Sequence, residues 1–297
     1  MNKIINKGHM GKTIEFNSKD DRDNFLVDFN SKSIAVEKFG NWMYESTYNI
    51  LEFDFKKLII KNLIDKKIIS SYSFSKYNND LEKLHLCMNL DDKSLDESEQ
   101  NKISISFYET SKALDNLYKR FIKEEISKIF PENIHYQVVP TFRFHFPNQK
   151  GYDWNDRYHT DIMLGHPPYE LNIWMPFTKA YGSNSMRLTS YKDSINSIKY
   201  CDYNFELFAK KTQYDEIFIK RLIKQSKPLK MNYGDFIIFD PRCLHCTQYN
   251  DTKDTRISMD IRIIFEGYTE KYSKTYKTTG RKKMPFLPGH YFSKKAV

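Results

Sequence analysis

The segment Arg256-Ile-Ser-Met-Asp-Ile-Arg-Ile263 alternates polar and apolar residues without a break. Successive side chains of an extended strand point to opposite faces, so such a segment has one apolar face and one polar face. Its polar face carries Arg256, Ser258, Asp260 and Arg262. That set suits a lined cavity, where each charged group can find a partner. Thr141-Phe-Arg-Phe-His-Phe146 is written the same way, with three phenylalanines on one side, and Leu171-Asn-Ile-Trp-Met175 repeats the scheme. All three lie after Pro131, among breaks of Pro, Gly, Asn and Asp, and together they predict an antiparallel barrel or sandwich.

Upstream of Pro131 the period is helical. Leu114, Leu117, Tyr118, Phe121, Ile122, Ile126 and Ile129 recur at steps of three and four, which predicts an amphipathic helix within 103–130, ended by Pro131. Residues 53–69 also read as helix, and the polar stretch 78–100 as an exposed loop. Between Ser190 and Lys227 the apolar residues Phe205, Leu207, Phe208, Ile217, Ile219, Leu222 and Ile223 predict a helical insertion of the kind that closes over sites. The expected class is mainly β with helical additions. Its parts are a mostly helical N-terminal support region over 1–135, a β core over 136–270 interrupted at about 190–227, and a C-terminal tail over 271–297 to which no structure is assigned.

Composition narrows the function. With 297 residues, 40% hydrophobic and 15% aromatic, the chain has ample core material and is not a disordered protein. Net charge is +9, yet lysine is scattered and forms no dense basic block, which argues against nucleic acid as the partner. Cys243-x-x-Cys246 invites a redox or zinc reading, but no second ligand pair exists, so Cys87, Cys201, Cys243 and Cys246 read as free thiols of a cytoplasmic protein. No apolar run approaches the roughly eighteen residues of a membrane span, and the expectation is no transmembrane segment.

His159-Thr-Asp161 places an imidazole and a carboxylate two positions apart, on one face of a strand. Alone this pair says little. Further on, Tyr233-Gly-Asp235 makes a tight turn into an apolar strand ending at Phe239, and after a second break the chain delivers His245. Two histidines and one carboxylate form a facial triad, which leaves coordination positions open and suits non-haem Fe(II); zinc favours closed sets with sulfur, or three ligands and water. Beyond His245 the chain turns through Asn250 to Asp254 and returns at Arg256, which predicts a hairpin. That hairpin would set Arg256 ~10 Å along the strand from the metal. There a guanidinium fork can take the far carboxylate of a five-carbon diacid that chelates the metal through its keto acid end.

The order His159-x-Asp161, then His245, then Arg256 eleven residues later resembles the Fe(II) and 2-oxoglutarate dependent dioxygenase superfamily. Residues 157–178, RYHTDIMLGHPPYELNIWMPFT, resemble a subgroup typified by StrG-like proteins of streptomycin biosynthesis, and the partial match spans 138–265. The resemblance implies a double-stranded β-helix, a jelly-roll or cupin-like barrel of eight main strands with helices outside. It implies Fe(II) on His159, Asp161 and His245, 2-oxoglutarate on Arg256, and O2 as co-substrate. The reaction implied is decarboxylation of 2-oxoglutarate to succinate and CO2, coupled to hydroxylation of a substrate carbon. Retention of Asp161 argues against halogenation, for which relatives carry Gly or Ala there.

Arg143 and Asn172 are assigned to the lining, where they would bind the keto acid end of the co-substrate or the substrate, with satisfaction of buried partners as the alternative, and Ser258 is assigned to the co-substrate pocket. Arg262 reads as a core ion-pair member with Asp260, His145 as a satisfied interior histidine and Trp174 as core. His166 reads either as a loop contact to substrate or as an ordered turn histidine. The expected substrate is a small polar metabolite: a sugar, amino sugar or amino acid. Positive charge gathered at the mouth through Arg143, Arg157, Arg187 and Arg242 would favour an anionic one, such as an acidic sugar of a surface polysaccharide or lipid. A cupin-like sugar-binding or isomerising protein without oxygen chemistry is a further alternative, with no need of Arg256, and an oxygenase acting on nucleic acid or a protein side chain is a third, which would show a basic groove with stacking aromatics or a long peptide cleft.

Overall fold

The computed structural model describes residues 4–7, 13–16, 18–88, 101–148, 158–269, 277–279 and 284–297. Its strands are β1 (Ile4–Lys7), β2 (Thr13–Phe16), β3 (Met43–Thr47), β4 (Ile134–Tyr136), β5 (Thr141–His145), β6 (Glu170–Pro176), β7 (Met186–Thr189), β8 (Ser226–Pro228), β9 (Asp235–Phe239), β10 (His245–Thr247), β11 (Arg256–Phe265) and β12 (Lys277–Thr279). The larger sheet runs β3-β9-β6-β11-β4, with β5 beside β4 on the same edge of β11. The smaller runs β10-β7-β8 and is widened by an antiparallel bridge between His159 and His245. From β5 onward the chain visits the two sheets in the orders β5-β11-β6-β9 and His159-β10-β7-β8. That is the double-stranded β-helix, formed by two open sheets.

Alternation along the strands separates two apolar clusters. Phe142, Phe144, Leu171, Ile173, Met175, Ile257, Met259, Ile261 and Ile263 bury against the outer helices, where Phe55 meets Phe177 at 5.3 Å and Phe107 meets Phe144 at 4.8 Å. Each such side chain contributes roughly 1.5–3 kcal/mol on burial. A smaller cluster joins Trp174, Ile237 and Phe239 of the larger sheet to Met186 and Leu188 of β7. It fills the space between the sheets, beside the polar face of β11.

The structure revises several expectations. The helix predicted within 103–130 is two helices, Lys102–Ser106 and Lys112–Phe121, the second continued by a π turn at Ile122–Ile126 and a 3-10 turn at Ser127–Ile129. Capping side chains set the breaks: Ser111 accepts from the Leu114 amide, and Asn101 accepts from that of Ser104 while its Nδ2 donates to the Phe144 carbonyl at 2.6 Å. The N-terminal region also contributes β3, paired along its length with β9, to the larger sheet. No β10–β11 hairpin forms, because β10 pairs with β7 and β11 with β5 and β6. The connection crosses from one sheet to the other.

The loop expected over 78–100 contains the 3-10 turn Leu81–Cys87 with Leu81 and Leu84 buried, while 89–100 lie outside the described residues. Between β7 and β8 stand the helices Tyr191–Lys199, Phe205–Tyr214 and Glu216–Gln225, as the apolar spacing predicts. Within the tail, β12 pairs with β2, and 284–297 packs against β4, with Ser293 donating its amide to the Tyr136 carbonyl at 2.7 Å. Among the described residues no helix is long and apolar enough to cross a membrane. All four cysteines are free thiols.

Candidate metal centre

Three short pieces of chain meet at one end of the smaller sheet. His159 and His245 exchange both backbone hydrogen bonds, at 3.1 and 2.9 Å, which sets their rings side by side with centroids 4.5 Å apart. Asp161 does not continue a strand. Thr160 caps a 3-10 turn, Asp161–Leu164, which ends at Gly165 with φ +91° in the left-handed region. The Asp161 amide donates to the Pro241 carbonyl at 3.1 Å and so ties this turn to the loop before His245. Ligand atoms of His159, Asp161 and His245 all lie within 4.8 Å of one another. Cys243 and Cys246 do not join them.

Hydrogen bonding leaves the inward atoms free to coordinate. His245 Nδ1 donates to the Cys243 carbonyl at 3.0 Å, which leaves the Nε2 lone pair facing Asp161 Oδ1 at 3.6 Å. Asp161 Oδ2 accepts from Arg262 Nε and Nη2 at 3.0 and 2.8 Å. Its Oδ1 is buried with no hydrogen-bond partner. Burial works against the Asp161 charge, but Arg262, followed by His166, His245 and His159, outweighs it and holds the carboxyl well below the usual range. A charged carboxylate with one satisfied oxygen and one orphaned oxygen beside two imidazoles is the arrangement a divalent cation completes.

The remaining predicted residues fall on the same inner face. Arg256 is buried opposite His145, donates from Nε to the Asn184 carbonyl at 3.0 Å and from Nη1 to Ser258 Oγ at 2.7 Å, and lies 5.9 Å from the Trp174 ring. No carboxylate of the described residues lies within 4.0 Å of it, and burial pushes its pKa down to about 10, with Asp260 opposing and Arg143 adding to the shift. A buried guanidinium short of counter-charge has the chemistry to take an anion. Asn172 is buried with Oδ1 unpartnered, in register with Arg262 on β11 and Phe239 on β9. Trp174 belongs to the inner apolar cluster.

Arg262 is a core ion-pair member as expected, but with a different partner. Arg262 pairs with Asp161, across 101 positions, and Asp260 pairs with Arg143 at 3.0 Å. The reason is register: β5 brings Arg143 opposite Ser258, beside Asp260, which leaves Arg262 facing the metal end. Of the arginines expected at a mouth, Arg143 is paired with Asp260. Arg187 is spent on Tyr158, Ser226 and the Ile223 carbonyl, Arg242 is fully buried, and Arg157 lies outside the described residues. Nothing in the alternation of β11 distinguishes the two arginines.

His145 donates from Nδ1 to the Asn184 carbonyl at 3.1 Å, a satisfied interior histidine. Burial, then Arg256, lowers its pKa to about 3 from the ordinary 6.5 of an imidazole. A depressed folded-state pKa adds stability that is present above pH ~6.5 and lost as the pH falls through about 3. The stability of His145→Gln should therefore fall less steeply than wild type across that window, by up to about 1.4 kcal/mol per pH unit. Chemical denaturation at successive pH values measures the difference, and parallel curves would contradict it.

No protein-family model matches the chain. The streptomycin biosynthesis protein StrG of Streptomyces griseus is 26% identical over 191 residues, covering 63% of this chain and 72% of StrG. The likeness to StrG-like proteins rests on this match. Among solved structures, the chain is similar to the non-heme alpha ketoglutarate dependent carbocyclase SnoK from nogalamycin biosynthesis, at 10% identity, TM-score 0.49, and 89% and 96% coverage of the two chains. It is similar also to EctD from S. alaskensis with 2-oxoglutarate and 5-hydroxyectoine, at 11% identity, TM-score 0.48, and 86% and 78% coverage.

Proposed function

We propose that the protein is an Fe(II) and 2-oxoglutarate dependent oxygenase that hydroxylates a small polar metabolite. The observation that carries this reading is the orphaned Oδ1 of Asp161, charged and buried between His159 and His245. Bound iron would supply activation of O2 coupled to decarboxylation of 2-oxoglutarate to succinate and CO2. The chain supplies the rest. His159, Asp161 and His245 are the proposed ligands, and Arg262 holds the Asp161 carboxylate in one orientation through two N–H bonds. Arg256 is the proposed anchor of the far carboxylate of 2-oxoglutarate, steadied by Ser258 and the Asn184 carbonyl. Asn172 lines the space between them. Trp174, Met186, Leu188, Ile237 and Phe239 make an apolar wall that excludes water.

The link of StrG to streptomycin biosynthesis supports a sugar or amino sugar as substrate, with an amino acid as the neighbouring choice. The free thiols support a cytoplasmic setting.

Anaerobic titration of Fe(II)-loaded protein with 2-oxoglutarate tests the reading. A weak, saturable visible band from chelation of the ferrous ion, absent in His245→Ala, is the expected result. Bound iron with no band would favour the cupin-like alternative. In the same assay Arg256→Met should weaken 2-oxoglutarate at least about tenfold, from the loss of roughly 1.5–3 kcal/mol of charge-assisted bonding. An unchanged affinity would move the anchor elsewhere.

A further inference from the structure

We infer that the segment 284–297 forms a wall of the metal centre and that Phe286 and Tyr291 act as positioning residues for Asp161, through His166. This rests on the metal reading above. The segment is strapped to β4 by paired amide–carbonyl bonds, Ile134 to Val297 at 3.0 Å and back at 2.9 Å, and by the Val138 amide on the Tyr291 carbonyl at 3.0 Å. His135 Nδ1 adds a bond to the Ser293 carbonyl at 2.7 Å. Because β4 pairs with 263–265 of β11, the strap arrives next to Arg262.

There it closes on His166. The imidazole lies 4.1 Å from the Phe286 ring and 5.4 Å from that of Tyr291, which themselves meet at 4.8 Å. The other side of His166 is bound to the chain that carries Asp161: its amide donates to the Asp161 carbonyl at 3.2 Å. Its Nδ1 lies 2.9 and 3.1 Å from the two oxygens of Glu170, the longer contact having hydrogen-bond geometry. Glu170 is fully buried, and its Oε1 has no hydrogen-bond partner.

The arrangement matters because two buried carboxyl groups, Asp161 and Glu170, share this end of the sandwich with Arg262, and burial, then the Asp161 charge, pushes Glu170 towards its neutral form. Ligand atoms of Asp161, His166 and Glu170 fall within 4.8 Å of one another. Among the described residues His166 is the side chain that bonds Glu170; held there, it keeps Glu170 off Arg262, so that Arg262 stays on Asp161 Oδ2 and Oδ1 stays turned to the two histidines. If the rings of the strap are removed, the His166 imidazole loses the two aromatic faces packed against it and its orientation is less restricted. Glu170 then competes for Arg262, and the carboxylate of Asp161 loses its fixed orientation. Partners that orient a metal ligand typically change metal affinity by about 10–100-fold when lost.

Co(II), a spectroscopic stand-in for Fe(II), is the probe. In the full chain, Phe286→Ala and Tyr291→Ala should each weaken Co(II) about tenfold and broaden its visible bands, while Tyr291→Phe, which keeps the ring, should bind as wild type. Wild-type affinity in both alanine variants would overturn the inference. A double-mutant cycle of Phe286→Ala with His166→Ala, read as apo-protein thermal stability, is independent of the metal. Coupling between the two is expected, and additive effects would overturn the clamp itself. If wild type binds no Co(II), the metal reading fails and the assigned role of the strap fails with it. Coupling in the cycle would then leave only a packing contact.

Discussion

Asp161→Ala is expected to abolish both metal binding and turnover, and to destabilise the protein by an amount that has nothing to do with metal. Two separate interactions end on this one carboxylate. Oδ1 faces His245 Nε2 at 3.6 Å, and Oδ2 takes two N–H bonds from Arg262. Removing the carboxylate strands the buried Arg262 guanidinium, and breaking one side of a buried ion pair costs about 3–5 kcal/mol. The companion Asp161→Ala/Arg262→Met removes the stranded charge and should recover most of that stability while still binding no Fe(II) or Co(II). Calorimetric titration with the metal and chemical denaturation of the apo-protein separate the two effects. A single Asp161→Ala variant that binds metal as wild type does would eliminate this carboxylate as a ligand. A double variant no more stable than the single would mean that Arg262 is satisfied in some other way.

That double role of Asp161 marks where the sequence stops being readable. The spacing of His159, Asp161, His245 and Arg256 is a local signal, and the alternation of β5, β6 and β11 reports faces because the strand period is two. Both are visible in a single chain, and the structure brings those residues to one inner surface. Partner choice is different. Arg256 and Arg262 occupy equivalent positions on one face of β11, yet one meets a backbone carbonyl and a serine and the other meets Asp161. Only the register of β11 against β5 and β6, set by long-range packing, decides which is which. Local chemistry was also missed where a polar side chain overrode a periodic pattern. Thr160 turns the expected strand into a 3-10 turn, Ser111 restarts a helix read as continuous, and the connection after β10 changes sheets instead of folding back. In the segment 284–297 the anchoring is mostly backbone bonds to β4, which leave no trace in residue type.

Arg242 shows how far such hidden contacts reach, and replacing it is expected to produce the largest loss of stability in the molecule. The side chain is completely buried. Its Nε and Nη2 each donate to one oxygen of Asp240 at 2.7 Å, and its Nη1 donates to the carbonyls of Asp28, Phe29 and Ser31 at 3.2, 3.0 and 3.1 Å. Those carbonyls end the helix Lys19–Phe29, so one guanidinium caps that helix and anchors the loop 240–244. Tyr191 closes the other side, 4.9 Å from the guanidinium carbon, and donates its own hydroxyl to the Ser31 carbonyl. Burial opposes the Arg242 charge, but Asp240 outweighs it and holds the pKa above its ordinary value.

Arg242→Met therefore strips a buried carboxylate of its counter-charge and takes a donor from the helix-end carbonyls, at a cost of at least about 3–5 kcal/mol, a large share of the roughly 5–15 kcal/mol by which a domain is stable. Arg242→Lys keeps the charge but, with a point ammonium in place of a planar fork, cannot reach Asp240 and the helix end together, and should recover only part of the loss. Asp240→Asn combined with Arg242→Met should lie above Arg242→Met alone, because the stranded charge is gone. Denaturant midpoints order the four proteins. A stability of Arg242→Met within about 1 kcal/mol of wild type would show that the loop is held without the guanidinium. Since Cys243, whose carbonyl fixes the tautomer of His245, lies inside that loop, any Arg242 variant that still folds should also bind the metal more weakly.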